Sequence, residues 1–372
     1  MLEKIIIFYP SYERGGVEII LKNLINFFLK KKIKVTLFSS GFKDEIIKKN
    51  KLFKYDEIKS SKKSLLSGRV FRATLASLNL INQLKKNSKN KSIVFSLQSS
   101  SLAILICKLF GFKVVVRNAE DPIYSIIYDN NKIKSLFSFL LKLIMYNFAN
   151  GIITNSHGSK KSLDKILLLK KNLQYIYNPY LKKTKINTKF KKQNFILSVG
   201  RLTIQKNFEG LIKSFFLFSK IYKNYKLIIA GDGPLRSKLE DLSKELKINK
   251  KVIFVGWKHD LDKYYKKSKM FILNSVYEGL GNVLIDAVNY NIPIITTNCK
   301  SGPSEIVDYG KGGFIVPINS EIQLYKKMIF VEKNYSIAKA KSLYAKKRIN
   351  RFLYKQNSLK YLIFIKKVFY KK

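Results

Sequence analysis

Short apolar runs rich in Ile, Val and Phe return along this 372-residue chain, and longer segments with apolar residues at helical spacing separate them. In the first half the runs are Lys4 to Phe8, Lys34 to Phe38, Ser92 to Phe95, Lys113 to Val116 and Gly151 to Thr154. Parallel strands need a long crossover, usually a helix, and a strand covered on both faces reads as a nearly unbroken apolar run. The pattern therefore predicts α/β architecture with a doubly wound parallel sheet. After Tyr177-Asn178-Pro179 comes a polar, lysine-laden stretch, Lys182 to Gln193, and then a fresh strand, Phe195 to Val199. The second half repeats the theme with Lys226 to Ala230, Val252 to Val255, Met270 to Leu273 and Pro293 to Thr296. The expectation is two Rossmann-like domains, residues 1–180 and 190–350, facing across a crevice where ligands meet the carboxyl ends of the strands. Aromatics at helical spacing from Phe352 to Phe369 predict a closing helix in residues 351–372 that packs back on the first domain.

Composition narrows the class. Hydrophobic residues at 46% and aromatics at 13% supply two cores and exclude a disordered chain despite the charge. Cys107 and Cys299 are too few for a metal cluster, which suits buried thiols in a reducing compartment. Lys and Arg total 72 against 24 Asp and Glu, a net charge of +48. Two explanations fit. The lysines are dispersed among many Asn and Ile, as in Lys30-Lys31-Lys32, Lys48-Lys49, Lys170-Lys171 and Lys371-Lys372, which is the mark of compositional bias. Such a field also attracts lipid head groups, polyphosphates or nucleic acid. No nucleic-acid module is present, so an anionic membrane surface is the favoured partner. The start of the chain reads as a strand and a turn rather than a cleavable signal. The apolar stretch Leu136 to Ile153 is broken by Lys142 and Asn147 and falls short of a membrane span. Peripheral attachment through the mixed basic and aromatic segment Lys132 to Phe148 is the expectation.

Three places carry chemistry. In Tyr277-Glu278-Gly279-Leu280-Gly281-Asn282-Val283-Leu284-Ile285-Asp286-Ala287, two carboxylates flank a glycine-rich turn that runs into an apolar helix start. A helix N-terminus offers free N–H groups and a positive dipole end to an anion, while carboxylates nearby accept hydrogen bonds from sugar hydroxyls. A loop with a capping acid is the plainer alternative. Arg201 and Lys206, in Ser198-Val199-Gly200-Arg201-Leu202-Thr203-Ile204-Gln205-Lys206-Asn207, place two cations just past a strand, suited to phosphate oxygens and a departing diphosphate. A second glycine loop, Gly231-Asp232-Gly233-Pro234, follows the next strand. In the first half, Glu13-Arg14-Gly15-Gly16-Val17-Glu18 precedes a helix. Paired glycines there either admit a diphosphate or sugar close to the backbone or form an ordinary strand-to-helix turn. The motif is not Gly-x-Gly-x-x-Gly, which disfavours a nicotinamide enzyme.

The motifs from Val199 to Asn207, Gly231 to Leu235 and Glu278 to Asp286, with the early Gly15-Gly16 pair, resemble in order and spacing the retaining glycosyltransferases of family 4, which have the GT-B fold. The resemblance covers nearly the whole chain. It implies that Arg201 and Lys206 bind the donor diphosphate, that Glu278 contacts the donor sugar and that Asp286 holds the ribose hydroxyls. Gly15, Gly16, Gly231, Gly279, Leu280, Gly281 and Asn282 would complete the donor side. Asp286 stands where the family usually has Glu, one methylene shorter. A His common in the family after the fourth strand is replaced here by Arg117-Asn118-Ala119-Glu120-Asp121-Pro122, as in branches that build bacterial surface glycans. Arg117, Asn118 and Glu120 are thereby candidates for sugar or acceptor contacts, against the alternative of a loop fixed by its Asp-Pro turn. His157 and His259 read as structural. Asn282 to Ile306 is similar to members that transfer N-acetylhexosamines or related hexoses.

The resemblance implies transfer of a hexose or N-acetylhexosamine from a UDP-sugar to a glycan or polyprenyl-diphosphate-linked acceptor in surface polysaccharide assembly of the O-antigen or capsule kind. It implies no cofactor besides the nucleotide sugar and no metal. Asp260-Leu261-Asp262 has the spelling of a metal clamp but sits in a lysine-rich turn. The site would lie in the cytoplasm, peripheral to the inner face of the membrane. A non-catalytic basic protein that holds nucleic acid or acidic glycan is the alternative from another class.

Overall fold

The computed structural model describes residues 1–12, 15–58, 68–127, 132–169, 172–184, 191–299 and 301–371. Glu13 and Arg14, Lys170 and Lys171, the middle of the Lys182 to Gln193 stretch, and Lys300 lie outside the described residues. The chain forms two compact units, Met1–Lys182 together with Phe352–Lys372, and Lys183–Arg351.

The first unit is built on seven parallel strands: β1 (Lys4–Ser11), β2 (Lys34–Ser40), β3 (Phe53–Glu57), β4 (Ser92–Ser96), β5 (Val114–Asn118), β6 (Gly151–Thr154) and β7 (Leu173–Tyr175). Their order across the sheet is β3-β2-β1-β4-β5-β6-β7. Successive side chains of a strand point to opposite faces, and here both faces are covered. Ile5 and Ile7 enter one core with Leu21, Leu24 and Phe28 of the helix Gly16–Lys30. Ile6 and Phe8 enter the other with Ala103, Ile104 and Cys107 of the helix Ser100–Leu109. Each Ile, Leu or Phe among them contributes about 1.5 to 3 kcal/mol on burial. This explains why β1 reads as an unbroken apolar run.

The closing helix Tyr354–Tyr370 belongs to the first core, into which it sends Tyr361, Leu362, Phe364, Ile365 and Val368. It lies so close to β6 that a Cβ on Gly151 would stand 2.7 Å from Val368 Cγ2. Glycine at that position is a packing requirement.

The second unit has six parallel strands: β8 (Gln193–Val199), β9 (Lys226–Ala230), β10 (Val252–Gly256), β11 (Ser268–Leu273), β12 (Ile294–Thr297) and β13 (Phe314–Val316), in the order β10-β9-β8-β11-β12-β13. Ile196, Leu227, Ile229, Met270 and Ile272 pack against Phe208, Phe215 and Phe218. In each sheet the winding reverses once, between β1 and β4 and between β8 and β11. Loops on either side of such a reversal leave in opposite directions, and the gap between them is where an open parallel sheet takes its ligand.

Three strands were not foreseen from the sequence: β3, β7 and β13. All three are sheet edges, and they are three to five residues long. An edge strand is covered on fewer sides, so it needs neither the length nor the apolar purity that marks a central one. At β5 the sequence ends the strand at Val116, whereas pairing continues through Arg117 and Asn118, opposite Ile153 and Thr154.

Candidate functional site

Past the carboxyl end of β8 the chain turns at Gly200 and runs through Arg201 into one 3-10 turn, Ile204–Lys206. Asn207 sits in the left-handed region and caps the helix Phe208–Ile221, its side chain accepting from Gly210 N at 3.1 Å. The loop is tied on both sides. Toward β9, Gly200 N donates to Ala230 O and Leu202 N to Asp232 O, each at 3.0 Å. Toward β11, Val276 N donates to Gln205 O and Asn274 Nδ2 to Asn207 O, each at 2.9 Å. Lys206 is thus held at the β8/β11 reversal by backbone on either flank.

The glycines of the second motif follow from these approaches. Gly231 has φ +144°, and a Cβ there would stand 1.9 Å from Gly200 O. At Gly233 a Cβ would stand 2.6 Å from Leu202 O. Any side chain at either position would push the Arg201 loop off the sheet.

Glu278 leaves the β11 side of the reversal and is 6% exposed. Its Oε1 accepts from Ser275 Oγ at 2.7 Å and forms an ion pair with Lys206 Nζ. Ser301 Oγ grips Glu278 O at 2.6 Å. Gly302, at φ +80°, brings its backbone so near that a Cβ would stand 2.4 Å from Leu280 Cα. This stacks the Ser301–Gly302 turn under the Gly279–Gly281 loop. Gly281, at φ +83°, is the N-cap of the helix Asn282–Asn289. Asn282 and the half-buried Asp286 are four residues apart and so share one face of that helix.

The site therefore brings together Lys206, Glu278, the Gly279–Gly281 loop and the start of the helix carrying Asn282 and Asp286, with the exposed Arg201 on the Lys206 loop. Lys206 pairs with Glu278, and Arg201 and the start of the helix Asn282–Asn289 lie beside that pair, groups of the kind that bind a diphosphate. A carboxylate this buried is tolerable only with its partners in place.

Other sequence candidates fall elsewhere. Arg117, read from sequence as a sugar or acceptor contact, lies within β5 and is 2% exposed. Its Nε donates to Tyr361 Oη at 3.2 Å and its Nη2 to Asn178 Oδ1 at 2.6 Å, so it ties the closing helix to the sheet. Asn118 is buried and bonds Glu120 O, while Glu120 itself is exposed. Asp121 holds the turn by accepting from Ile123 N at 3.0 Å and from Ser162 Oγ at 2.7 Å. Gly15 and Gly16 are exposed at the start of the helix Gly16–Lys30. Gly15 is extended, so its backbone angles do not demand glycine; a Cβ there would approach Glu18 Oε2 at 3.2 Å. Glu18 is buried and accepts from Tyr9 Oη at 2.7 Å, a contact the sequence did not signal.

Ser275 and Ser301 were missed as well. Ser275 lies three residues before Glu278, and small polar residues beside a buried acid are the one signal that points to it. His157 packs edge-on to Tyr175 with centroids 5.4 Å apart, and His259 to Trp257 at 4.2 Å. Asp260 caps the backbone N–H of Asp262, which itself meets Tyr290 Oη and Lys266. Among the described residues no group of three or more His, Cys, Asp or Glu is placed to hold a metal ion. Burial pushes the thiols of Cys107 and Cys299 up to about 12, which removes them as nucleophiles at neutral pH.

The sequence profile of the family described as Glycosyl transferases group 1 matches residues 181–348, nearly all of the second unit. An uncharacterized glycosyltransferase of Methanocaldococcus jannaschii is 30% identical over 73% of this chain and 70% of its own length. The chain belongs to the group 1 glycosyltransferases. A relative from Campylobacter jejuni, an N-acetylgalactosamine-N,N'-diacetylbacillosaminyl-diphospho-undecaprenol 4-alpha-N-acetylgalactosaminyltransferase, is 29% identical over 70% of this chain and 72% of its own. Among solved structures, an S. aureus TarM variant in complex with fondaparinux, alpha-GlcNAc-glycerol and UDP covers the whole chain with a TM-score of 0.77 at 14% identity, which shows the shared GT-B fold. As a group 1 glycosyltransferase this protein is an enzyme, and nothing among its relatives supports a bare basic binding module.

Proposed function

We propose that this glycosyltransferase is a retaining, metal-independent enzyme of family 4. It moves a hexose or N-acetylhexosamine from a UDP-sugar to a glycan or a polyprenyl-diphosphate-linked acceptor, in surface polysaccharide assembly at the inner face of the cytoplasmic membrane. The observation that carries the reading is the Lys206–Glu278 pair at the β8/β11 reversal, its carboxylate buried, beside Arg201 and the start of the helix Asn282–Asn289. Lys206, Arg201 and the first amides of the helix Asn282–Asn289 stabilise negative charge as the diphosphate leaves, and the acceptor attacks the same face of the sugar. Glu278 holds a donor sugar hydroxyl and keeps Lys206 aimed, and Asp286 accepts from the ribose. The UDP named with the TarM structure and the undecaprenol-linked acceptor named for the C. jejuni relative support donor and acceptor classes.

The test is transfer itself. Protein stripped with chelator is offered a panel of UDP-hexoses and UDP-N-acetylhexosamines with an undecaprenyl-diphosphate-linked saccharide, and the product's mass and anomeric configuration are read. Transfer with retained configuration is expected. Activity lost with chelator and restored by manganese contradicts the metal-free step, and an inverted product contradicts the front-face attack.

A further inference from the structure

A surface helix normally turns its apolar stripe inward and its polar stripe to water. The helix Lys132–Tyr146 of the first unit sends Met145 and Tyr146 to the core and carries apolar residues on its outer side as well. Leu136, Phe137, Leu140, Leu141 and Ile144 recur at helical spacing and stand 41% to 69% exposed. The helix Ser100–Leu109 packs against it and exposes Leu102, Leu105 and Leu109 at the same spacing. The core beneath is already filled by Ala103, Ile104, Cys107, Tyr146 and Ala149. These apolar side chains are therefore surplus to the fold, and they stand exposed on two helices that contact each other, the kind of feature that marks an interaction surface.

Charge decides what covers it. The two helices contain four lysines and no acid, in a chain of net charge +48. A second copy would bring the same sign of charge to the same face, and an uncharged partner would draw nothing from the lysines. An anionic bilayer satisfies both features at once. Apolar side chains enter the acyl boundary while Lys108 and Lys142 lie along it with their ammonium groups at the phosphates. Among the described residues no helix is long and apolar enough to cross a membrane, so contact is in the plane.

We propose that this two-helix face seats the first unit on an anionic lipid surface by insertion of its leucines and phenylalanine, with charge as the steering force. The proposal rests on the lipid-linked acceptor reading only for its purpose, and its test uses neither acceptor nor sugar. The full chain is floated with phosphatidylcholine vesicles with and without phosphatidylglycerol, at low and high salt, beside the variant Phe137→Gln/Leu140→Gln/Ile144→Gln. These positions are exposed and the charge is unchanged, so folding is checked by an unaltered melting midpoint. Wild type is expected to float with the anionic vesicles and to retain part of its binding at high salt, and the variant to lose at least tenfold. A second variant, Lys108→Gln/Lys142→Gln, is expected to lose binding at low salt alone. Equal flotation of wild type and the triple variant would overturn insertion, as would no flotation of wild type. A dimer in sedimentation that the triple variant dissolves would assign the face to a second copy instead. Stabilisation by UDP, read in the same samples, reports separately on the donor site.

Discussion

The reversal point of the second unit and that of the first are built in opposite ways. In the second unit, backbone presses on backbone: Gly231 against Gly200, Gly233 against Leu202 and Gly302 against Leu280 leave no room for a Cβ. In the first, the end of β1 carries side chains bonded to one another, Tyr9 to Glu18, and at the β5 and β6 ends Arg117 bonds Tyr361 and Asn178 while Asn118 Oδ1 and Asn155 Oδ1 are buried with no partner among the described residues. A diphosphate is the same in every nucleotide sugar and is gripped through amides and fixed charges. An acceptor varies, and a surface of side chains can be changed without moving the sheet. Under the proposed function, the difference assigns the constant diphosphate to backbone held close by glycines and the variable acceptor to replaceable side chains.

The comparison breaks most easily at its glycines. Gly231→Ala is expected to cost upwards of about 3 kcal/mol, because its methyl group meets a carbonyl rather than a movable side chain. Gly41→Ala in the first unit, with φ +72° and nothing within 4 Å, is expected to cost about 1 kcal/mol from backbone strain alone. Urea denaturation of the two variants checks the contrast, and equal losses would remove it.

Next comes the ion pair. Lys206→Ala leaves Glu278 buried without its cation and is expected to cost about 3 kcal/mol, part of which Lys206→Ala/Glu278→Ala returns. Turnover should fall at least about a hundredfold in either variant. A double-mutant cycle with kinetics measures both.

Tyr361→Phe strips one partner from the buried Arg117 and is expected to cost about 1 to 2 kcal/mol while UDP stabilisation is unchanged. A loss of nucleotide binding in this variant would show that the first unit's side-chain network reaches the donor.

The smallest effect is one of pH. Burial lowers Lys192 and Lys346 to about 8, the former helped by Lys339. An unfolded lysine titrates near about 10.4, so between these values the unfolded chain holds more protons and stability rises with pH. Below pH 8 both states are charged and the cost of burial is felt in full. The melting midpoint is expected to climb from pH 8 toward pH 10 and the climb to flatten in Lys192→Met/Lys346→Met.

The same contrast explains what the sequence could reveal. Central strands such as β1 and β8 were legible because burial on both faces forces an apolar run, whereas β3, β7 and β13 at the edges escape that demand. Gly231, Glu278 and Lys206 were legible because their spacing is imposed by one loop geometry. Arg117 misled: its charge beside a strand end suggests a ligand, but its partners, Asn178 and Tyr361, come from distant segments that no local pattern joins to it. Ser301 escaped for the same reason, since it reaches Glu278 only through the fold of the Gly302 turn.

The central claim is that Lys206, locked at the β8/β11 reversal, receives the donor diphosphate. Thermal stabilisation by UDP in the presence of chelator, measured on wild type and Lys206→Ala, tests it directly, because a ligand that binds only the native state must raise its stability. The account predicts a concentration-dependent rise for wild type that is lost in Lys206→Ala. No rise with any nucleoside diphosphate, or an equal rise in both proteins, would contradict it.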